Sequence, residues 1–207
     1  MHYIREPEAI YARSFEIIRA EADLSRFSKD EQAIVIRMIH ASGMTDLIDD
    51  VIISAKFASA AHNALTFGKP IFVDAEMVRH GIIARNLKTK NEIICTLNDP
   101  RARAIGLAQS ITRSAAAVDL WSESLAGAVV VIGNAPTALF RLLENLDRGC
   151  AKPAAIVACP VGFVGAAESK SEIAANARGV PFIAVKGRRG GSAIASSVVN
   201  AIAGDMP

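Results

Sequence analysis

From Pro70 onward this chain repeats one unit: a short apolar run, a loop marked by glycine, aspartate or proline, then a helical pattern. The runs are Ile71–Val73, residues 93–97, Val129–Ile132, Ala155–Ala158 and Phe182–Val185, most of them rich in β-branched residues. Helical patterns follow after Asp74, after Asp99-Pro100, at Pro136, near Ala166 and at Ser192. Strands that alternate with helices through short connections pair in parallel, because each crossover carries the chain back to the same end of the sheet. The crossing helices then cover both faces. The spacing predicts a three-layer α/β/α fold with a five-stranded parallel sheet.

The first seventy residues read as helices and make an N-terminal helical extension. Pro7 opens one, with Ala9, Ile10, Phe15, Ile17 and Ile18 on its apolar side. Ser28 and Glu31 fit a capping box for a second, which runs to about Ala41 and stops at Gly43. Ser54 is expected to cap a third, ending before Gly68. Gly81, Gly149, Gly179 and Gly204 are expected to act as left-handed C-caps. Residues 101–125 read as two helices or one with a bend. With no linker, repeat or low-complexity run, residues 1–207 read as a single domain.

Composition removes several function classes. Half the chain is hydrophobic (51%) and its mean hydropathy is positive (+0.29), which excludes disorder. Charged residues or Asn interrupt every apolar run before it reaches the length of a membrane span. The opening residues lack the apolar core of a secretory signal. Cys95, Cys150 and Cys159 show no paired spacing and suggest free thiols in a reducing cytoplasm. A net charge of +2 is neutral on nucleic acid, but an aromatic content of 5% argues against a base-stacking surface.

In a parallel sheet the strand-to-helix loops emerge on one edge, where ligands of open α/β folds bind. Three of these loops are rich in glycine: Gly133-Asn134-Ala135-Pro136; Pro160-Val161-Gly162-Phe163-Val164-Gly165; and Gly187-Arg188-Arg189-Gly190-Gly191-Ser192. Helix N-termini present unbonded N–H groups and favour anions. The plainer alternative is that glycine merely permits a tight turn. The adjacent arginines Arg188 and Arg189 fit it least, since guanidinium groups seek carboxylate, phosphate or water. Neither a P-loop nor a dinucleotide fingerprint is present, and no G-x-S-x-G elbow supports serine chemistry. No metal-ligand spacing is found.

His40 sits in the last turn of the capped helix and has two readings. It is either a histidine placed there by the helix dipole, or an acid–base group. The dipole is expected to favour its protonated form.

These loops, with Ile39-His40-Ala41-Ser42-Gly43 and Thr112-Arg113-Ser114-Ala115-Ala116-Ala117, closely resemble the precorrin-8X methylmutase family of corrin biosynthesis. The resemblance runs from about Tyr11 to Ala203. It implies a five-stranded parallel sheet, a homodimer whose active sites use both subunits, and a corrinoid substrate and product. The implied reaction moves a methyl group from C-11 to C-12 of the ring, an isomerisation that needs no redox cofactor and no metal. His40 matches the family's catalytic histidine. Tyr11, Ser14, Arg113 and the stretch Gly187, Arg188, Arg189, Gly190, Gly191 and Ser192 match its substrate contacts. One position departs: Ile83 stands where a hydroxyl residue often follows the Gly-Ile pair, here Gly81-Ile82. Two other classes stay open: a tetrapyrrole carrier that holds product without turnover, and a nucleotide-dependent α/β enzyme.

Overall fold

The computed structural model describes residues 3–121 and 124–204. Two helices come first, α1 (Pro7–Glu21) and α2 (Lys29–Ser42). The capping box of α2 is present: Ser28 Oγ accepts from the Glu31 N–H, and Glu31 accepts from the Ser28 N–H. Gly43 closes the helix at φ +68°, a left-handed conformation that costs a glycine nothing. After a 3₁₀ turn (Thr45–Asp50) come β1 (Val51–Ile53), α3 (Phe57–Thr66), β2 (Ile71–Val73), α4 (Glu76–Gly81) and β3 (Ile93–Cys95). Next are α5 (Pro100–Gln109), α6 (Arg113–Asp119), β4 (Val129–Ile132) and α7 (Pro136–Asp147). The chain ends with β5 (Ala155–Ala158), α8 (Ala166–Ala175), β6 (Phe182–Val185) and α9 (Ser192–Ala203).

Among the described residues the sheet has six strands in the order β1-β6-β5-β4-β2-β3. Five pair in parallel and lie on the runs read from sequence, β3 ending at Cys95, two residues short of the run 93–97. The sixth, β1, corrects the five-stranded, all-parallel expectation: it pairs antiparallel with β6 at the edge, Val51 opposite Val185. Three apolar residues are too few to show an alternating period, which is why this stretch read as helical. Ser54 is likewise no helix cap. Its Oγ accepts the Phe182 N–H at 2.7 Å and its own N–H donates to Phe182 O at 2.9 Å, fastening β1 to its neighbour.

Two apolar layers sandwich the sheet. Alternate strand residues (Val73, Val129, Val131, Val157, Ile183) face α2, α3, α4 and α9. Their neighbours (Phe72, Val130, Ile132, Ile156, Ala184) face α7, with Val118 and Trp121 beside them. The N-terminal extension belongs to the first layer: α2 packs along α9 and α1 on α2. Residues 101–121 contain two helices, α5 and α6; the rest of that predicted stretch is partly outside the described residues. Among the predicted glycine caps, Gly149 and Gly179 are left-handed, at φ +89° and +74°. Gly81 and Gly204 are not; a Cβ on Gly81 would lie 2.4 Å from Ser196 Oγ, so close packing on α9 explains that glycine.

From β2 the chain moves outward to β3, whereas from β4 it moves the other way to β5. The carboxyl ends of β2 and β4 therefore form the switch point at which open sheets usually hold a ligand. Here Asp74 fills that role. Its Oδ1 accepts the Gly133 N–H at 2.9 Å, and its Oδ2 accepts those of Asn134 at 3.0 Å and Ala135 at 2.6 Å. Burial pushes its pKa up and the three backbone donors pull against that. Both oxygens accept, which is the pattern of a carboxylate. Asp74→Ala would leave the buried Gly133 N–H and the half-buried Asn134 and Ala135 N–H groups without this partner, at roughly 1–3 kcal/mol for a buried donor. We expect a loss of about 3 kcal/mol in urea unfolding with an unchanged m-value, and a smaller loss for Asp74→Asn, which keeps one acceptor.

Candidate functional site

The C-terminal end of α2 lies beside the N-terminal end of α9, and an open cleft of about 550 Å³ runs between them. Its wall holds Tyr11, Arg37, His40, Ile83, Ser192 and Asn200, with Gly81 and Met77 of α4 closing one side. Helical spacing puts these groups on common faces. Tyr11, Ser14 and Phe15 share one side of α1, and Arg37, His40 and Ala41 share one side of α2.

His40 is half-buried in an aromatic and cationic surround. Its Nδ1 lies 2.8 Å from Ser14 Oγ. The Tyr11 and Phe15 rings stand 5.4 and 5.5 Å from the imidazole, centroid to centroid. The Arg37 guanidinium lies over both rings, 5.7 and 5.4 Å from their centroids. Burial first, and the Arg37 charge second, push the His40 pKa below its usual value. This reverses the expectation from the helix dipole, because desolvation and a cation one turn away both disfavour a second positive charge. At neutral pH the imidazole is uncharged. The bond to Ser14 admits both neutral tautomers: with Ser14 donating to Nδ1 the ring proton sits on Nε2, and with Nδ1–H donating to Ser14 Nε2 is an acceptor.

The structure thus brings together Tyr11, Ser14, His40 and Ser192 of the residues singled out from sequence. Loop residues Gly187, Gly190 and Gly191 lead into Ser192. Gly190 touches the neighbouring loop so closely that a Cβ would lie 2.3 Å from Cys159 O. The two arginines of that loop diverge. Arg189 pairs with Asp46 at 2.6 Å and Asp50 at 3.6 Å, whereas Arg188 is exposed with its guanidinium over the Phe163 ring, 5.2 Å from the centroid. Arg113 does not line the His40 cleft. It is the exposed first residue of α6, next to Thr112, whose hydroxyl meets that of Thr137 at 2.8 Å. The Gly133–Ala135 amides, read as anion donors, are taken by Asp74.

Sequence reasoning missed Arg37 and Asn200. Arg37 was legible, three residues before His40 on the same face of a capped helix. Asn200 was not: it is one polar residue in an apolar helix, and its role depends on what packs opposite. Its Nδ2 donates to Gly81 O at 2.9 Å and its Oδ1 accepts the Ile83 N–H at 2.8 Å, which pins the turn after α4 to the cleft. Among the described residues no group of His, Cys, Asp or Glu side chains could hold a metal ion, and no helix is long and apolar enough to cross a membrane.

The family description "Precorrin-8X methylmutase" matches residues 9–204. A precorrin-8X methylmutase of Sinorhizobium sp. is 57% identical over 201 residues, covering 97% of this chain and 96% of the relative. A cobalt-precorrin-8 methylmutase of Salmonella typhimurium is 40% identical over 209 residues, covering 98% and 97%. The crystal structure of the Thermus thermophilus precorrin-8X methylmutase superposes with a TM-score of 0.86 at 36% identity, over 95% of this chain and 94% of that one. The chain belongs to the precorrin-8X methylmutase family.

Proposed function

We propose that this member of the methylmutase family moves a methyl group from C-11 to C-12 of precorrin-8X, giving hydrogenobyrinate, in the cleft between α2 and α9. The observation that carries the reading is His40: its Nδ1 lies 2.8 Å from Ser14 Oγ and its side chain lines the cleft. The reaction breaks one carbon–carbon bond and forms another within the same molecule, so no atom or electron is gained or lost. What the protein supplies is stabilisation of charge developing in the conjugated ring, and a positioned N–H donor does that. His40 is that donor. Tyr11 and Met77 offer apolar surface to a flat ring, and Arg37 adds a cation beside it.

The substrate class is a large macrocycle edged with carboxylates. Charge-assisted contacts from Arg37, Arg113 and Arg188 suit those groups, while Arg189 holds its loop to Asp46 and Asp50. The metal-free substrate is favoured, because the Sinorhizobium relative named for it shares 57% identity against 40% for the Salmonella one named for the cobalt form. The working unit we propose is a homodimer in the cytoplasm. The apolar side chains Ile10, Tyr11 and Ile17 of α1 face solvent in one chain, and the cleft is open where Tyr11 lines it. A second copy would cover both.

His40→Ala should lower turnover by about 10² to 10⁴ while product binding, followed by visible absorption, survives. His40→Asn, which donates but does not titrate, should recover part of the rate. A carrier protein would be indifferent to both changes. With the His40 pKa lowered by burial and by Arg37, turnover should be level from pH 7 upward and change only as the pH drops through that lowered pKa. A fall over that interval would show the neutral imidazole at work, and a rise would show instead that the imidazolium transfers its proton.

Arg37→Ala and Arg188→Ala should each weaken product binding about ten-fold or more, a charged hydrogen bond being worth about 1.5–3 kcal/mol. Arg113→Ala tests whether the far side of the sheet edge reaches the same ligand. Unchanged titrations at moderate salt remove a residue from the site.

Sedimentation velocity at micromolar concentration should find a dimer. A fully active monomer overturns the shared cleft.

A further inference from the structure

Lys170, in α8, is almost wholly buried, with only 2% of its surface exposed. A buried ammonium is costly unless its hydrogens are bonded. Its Nζ donates to Pro160 O at 2.9 Å and to Arg189 O. Burial pushes its pKa down to about 8, against weak opposition from Cys159 and Asp50. It bonds no carboxylate among the described residues, only main-chain carbonyls. A methionine would fill the same space without the cost, so packing does not explain a lysine here.

The two carbonyls belong to different loops. Pro160 follows β5 and Arg189 follows β6. The same loops are also bonded directly: the Gly191 N–H donates to Cys159 O at 2.8 Å and the Gly162 N–H to Arg188 O at 3.3 Å. On their outer side they carry Phe163, 82% exposed, with Arg188 over its ring, and the loop after β6 ends at Ser192 in the His40 cleft. We propose that Lys170 is a positioning residue, whose ammonium fastens the loop after β5 to the loop after β6 and so sets where Arg188 and Ser192 meet the substrate. This rests on the reading of the cleft as a site for a carboxylated tetrapyrrole. Lys170 lies behind the loops and acts only through them, whereas His40 stands on α2 and is untouched.

The test compares Lys170→Met, Lys170→Arg and the unaltered enzyme by steady-state kinetics and amide hydrogen exchange. Misplaced contacts cost on the order of ten- to hundred-fold. Lys170→Met should raise KM on that scale with kcat within a few-fold. Its Gly162 and Gly191 amides should exchange faster while those of β4 and β5 keep their protection. Lys170→Arg, which retains charge and donors, should recover most of the affinity. Faster exchange throughout the sheet with kcat and KM failing together would make Lys170 merely structural and overturn the proposal; so would no change in KM and loop exchange. If Lys170→Met does not fold, the unaltered enzyme carries the test. Between pH 7 and about 9.5 Lys170 passes from ammonium to amine while Cys159, pushed up to about 12, stays neutral. KM should then rise several-fold, and a flat KM overturns the proposal. If the enzyme turns over neither the metal-free nor the cobalt substrate, the functional reading fails. The exchange comparison still decides whether Lys170 couples the loops.

Discussion

The carboxyl edge of a buried parallel sheet has a problem that the rest of this structure is arranged around. There each strand stops, the chain turns into a helix, and main-chain donors and acceptors are left inside the protein without ladder partners. Two buried side chains of opposite sign answer it. Asp74 collects three N–H groups at the start of α7, and Lys170 collects two carbonyls from the loops beyond β5 and β6. The acid takes donors and the base takes acceptors. Each charge is compensated by dipoles rather than by a counter-ion.

This arrangement decides where a ligand can go. The switch point between β2 and β4 is closed by the protein's own carboxylate, so the usual anion cradle of an open α/β sheet is occupied from within. The cleft opens instead to one side, between α2 and α9, over a wall made by the turn after α4. That wall stands because small residues let α4 approach α9, Gly81 against Ser196, and because Asn200 bonds both faces of the turn. The N-terminal extension then supplies what the sheet does not. Tyr11 and Ser14 from α1, with Arg37 and His40 from α2, complete the cleft.

Much of this was legible in the sequence, and the remainder was not for physical reasons. Strands of the parallel sheet announce themselves as apolar runs bounded by turns, because both faces are buried; all five were found. The capping box of α2 and its glycine stop were equally plain. β1 was not, since a three-residue edge strand carries no period and is defined by its partner, β6. The candidate site divides in the same way. His40 was named from its helix-end position and the family resemblance and Ser14 from the resemblance alone, but that they meet at 2.8 Å depends on how α1 crosses α2. Gly133, Asn134 and Ala135 were read as donors awaiting an anion, and they are donors. No local pattern reveals that Asp74, some sixty residues earlier, is the anion. Arg188 and Arg189 look equivalent in a string, and only Asp46 and Asp50 tell them apart.

The His40 reversal shows how such competitions are decided. A helix C-terminus stabilises a nearby cation by about 0.3–1 kcal/mol when exposed, less than one pKa unit. In α2 part of that dipole is already spent locally: Ile39 O accepts both the Gly43 N–H and the Ser42 hydroxyl, at 2.8 and 3.1 Å. The imidazole does not point its Nδ1 at those carbonyls; it turns to Ser14 on the neighbouring helix. Against the weakened dipole stand the aromatic walls of Tyr11 and Phe15, which remove water, and the Arg37 charge one turn back. Desolvation and like charge act together, and the dipole opposes them alone. The outcome is a histidine biased toward its neutral form and oriented by a serine, a group that offers a hydrogen bond without also bringing a charge into an apolar cleft.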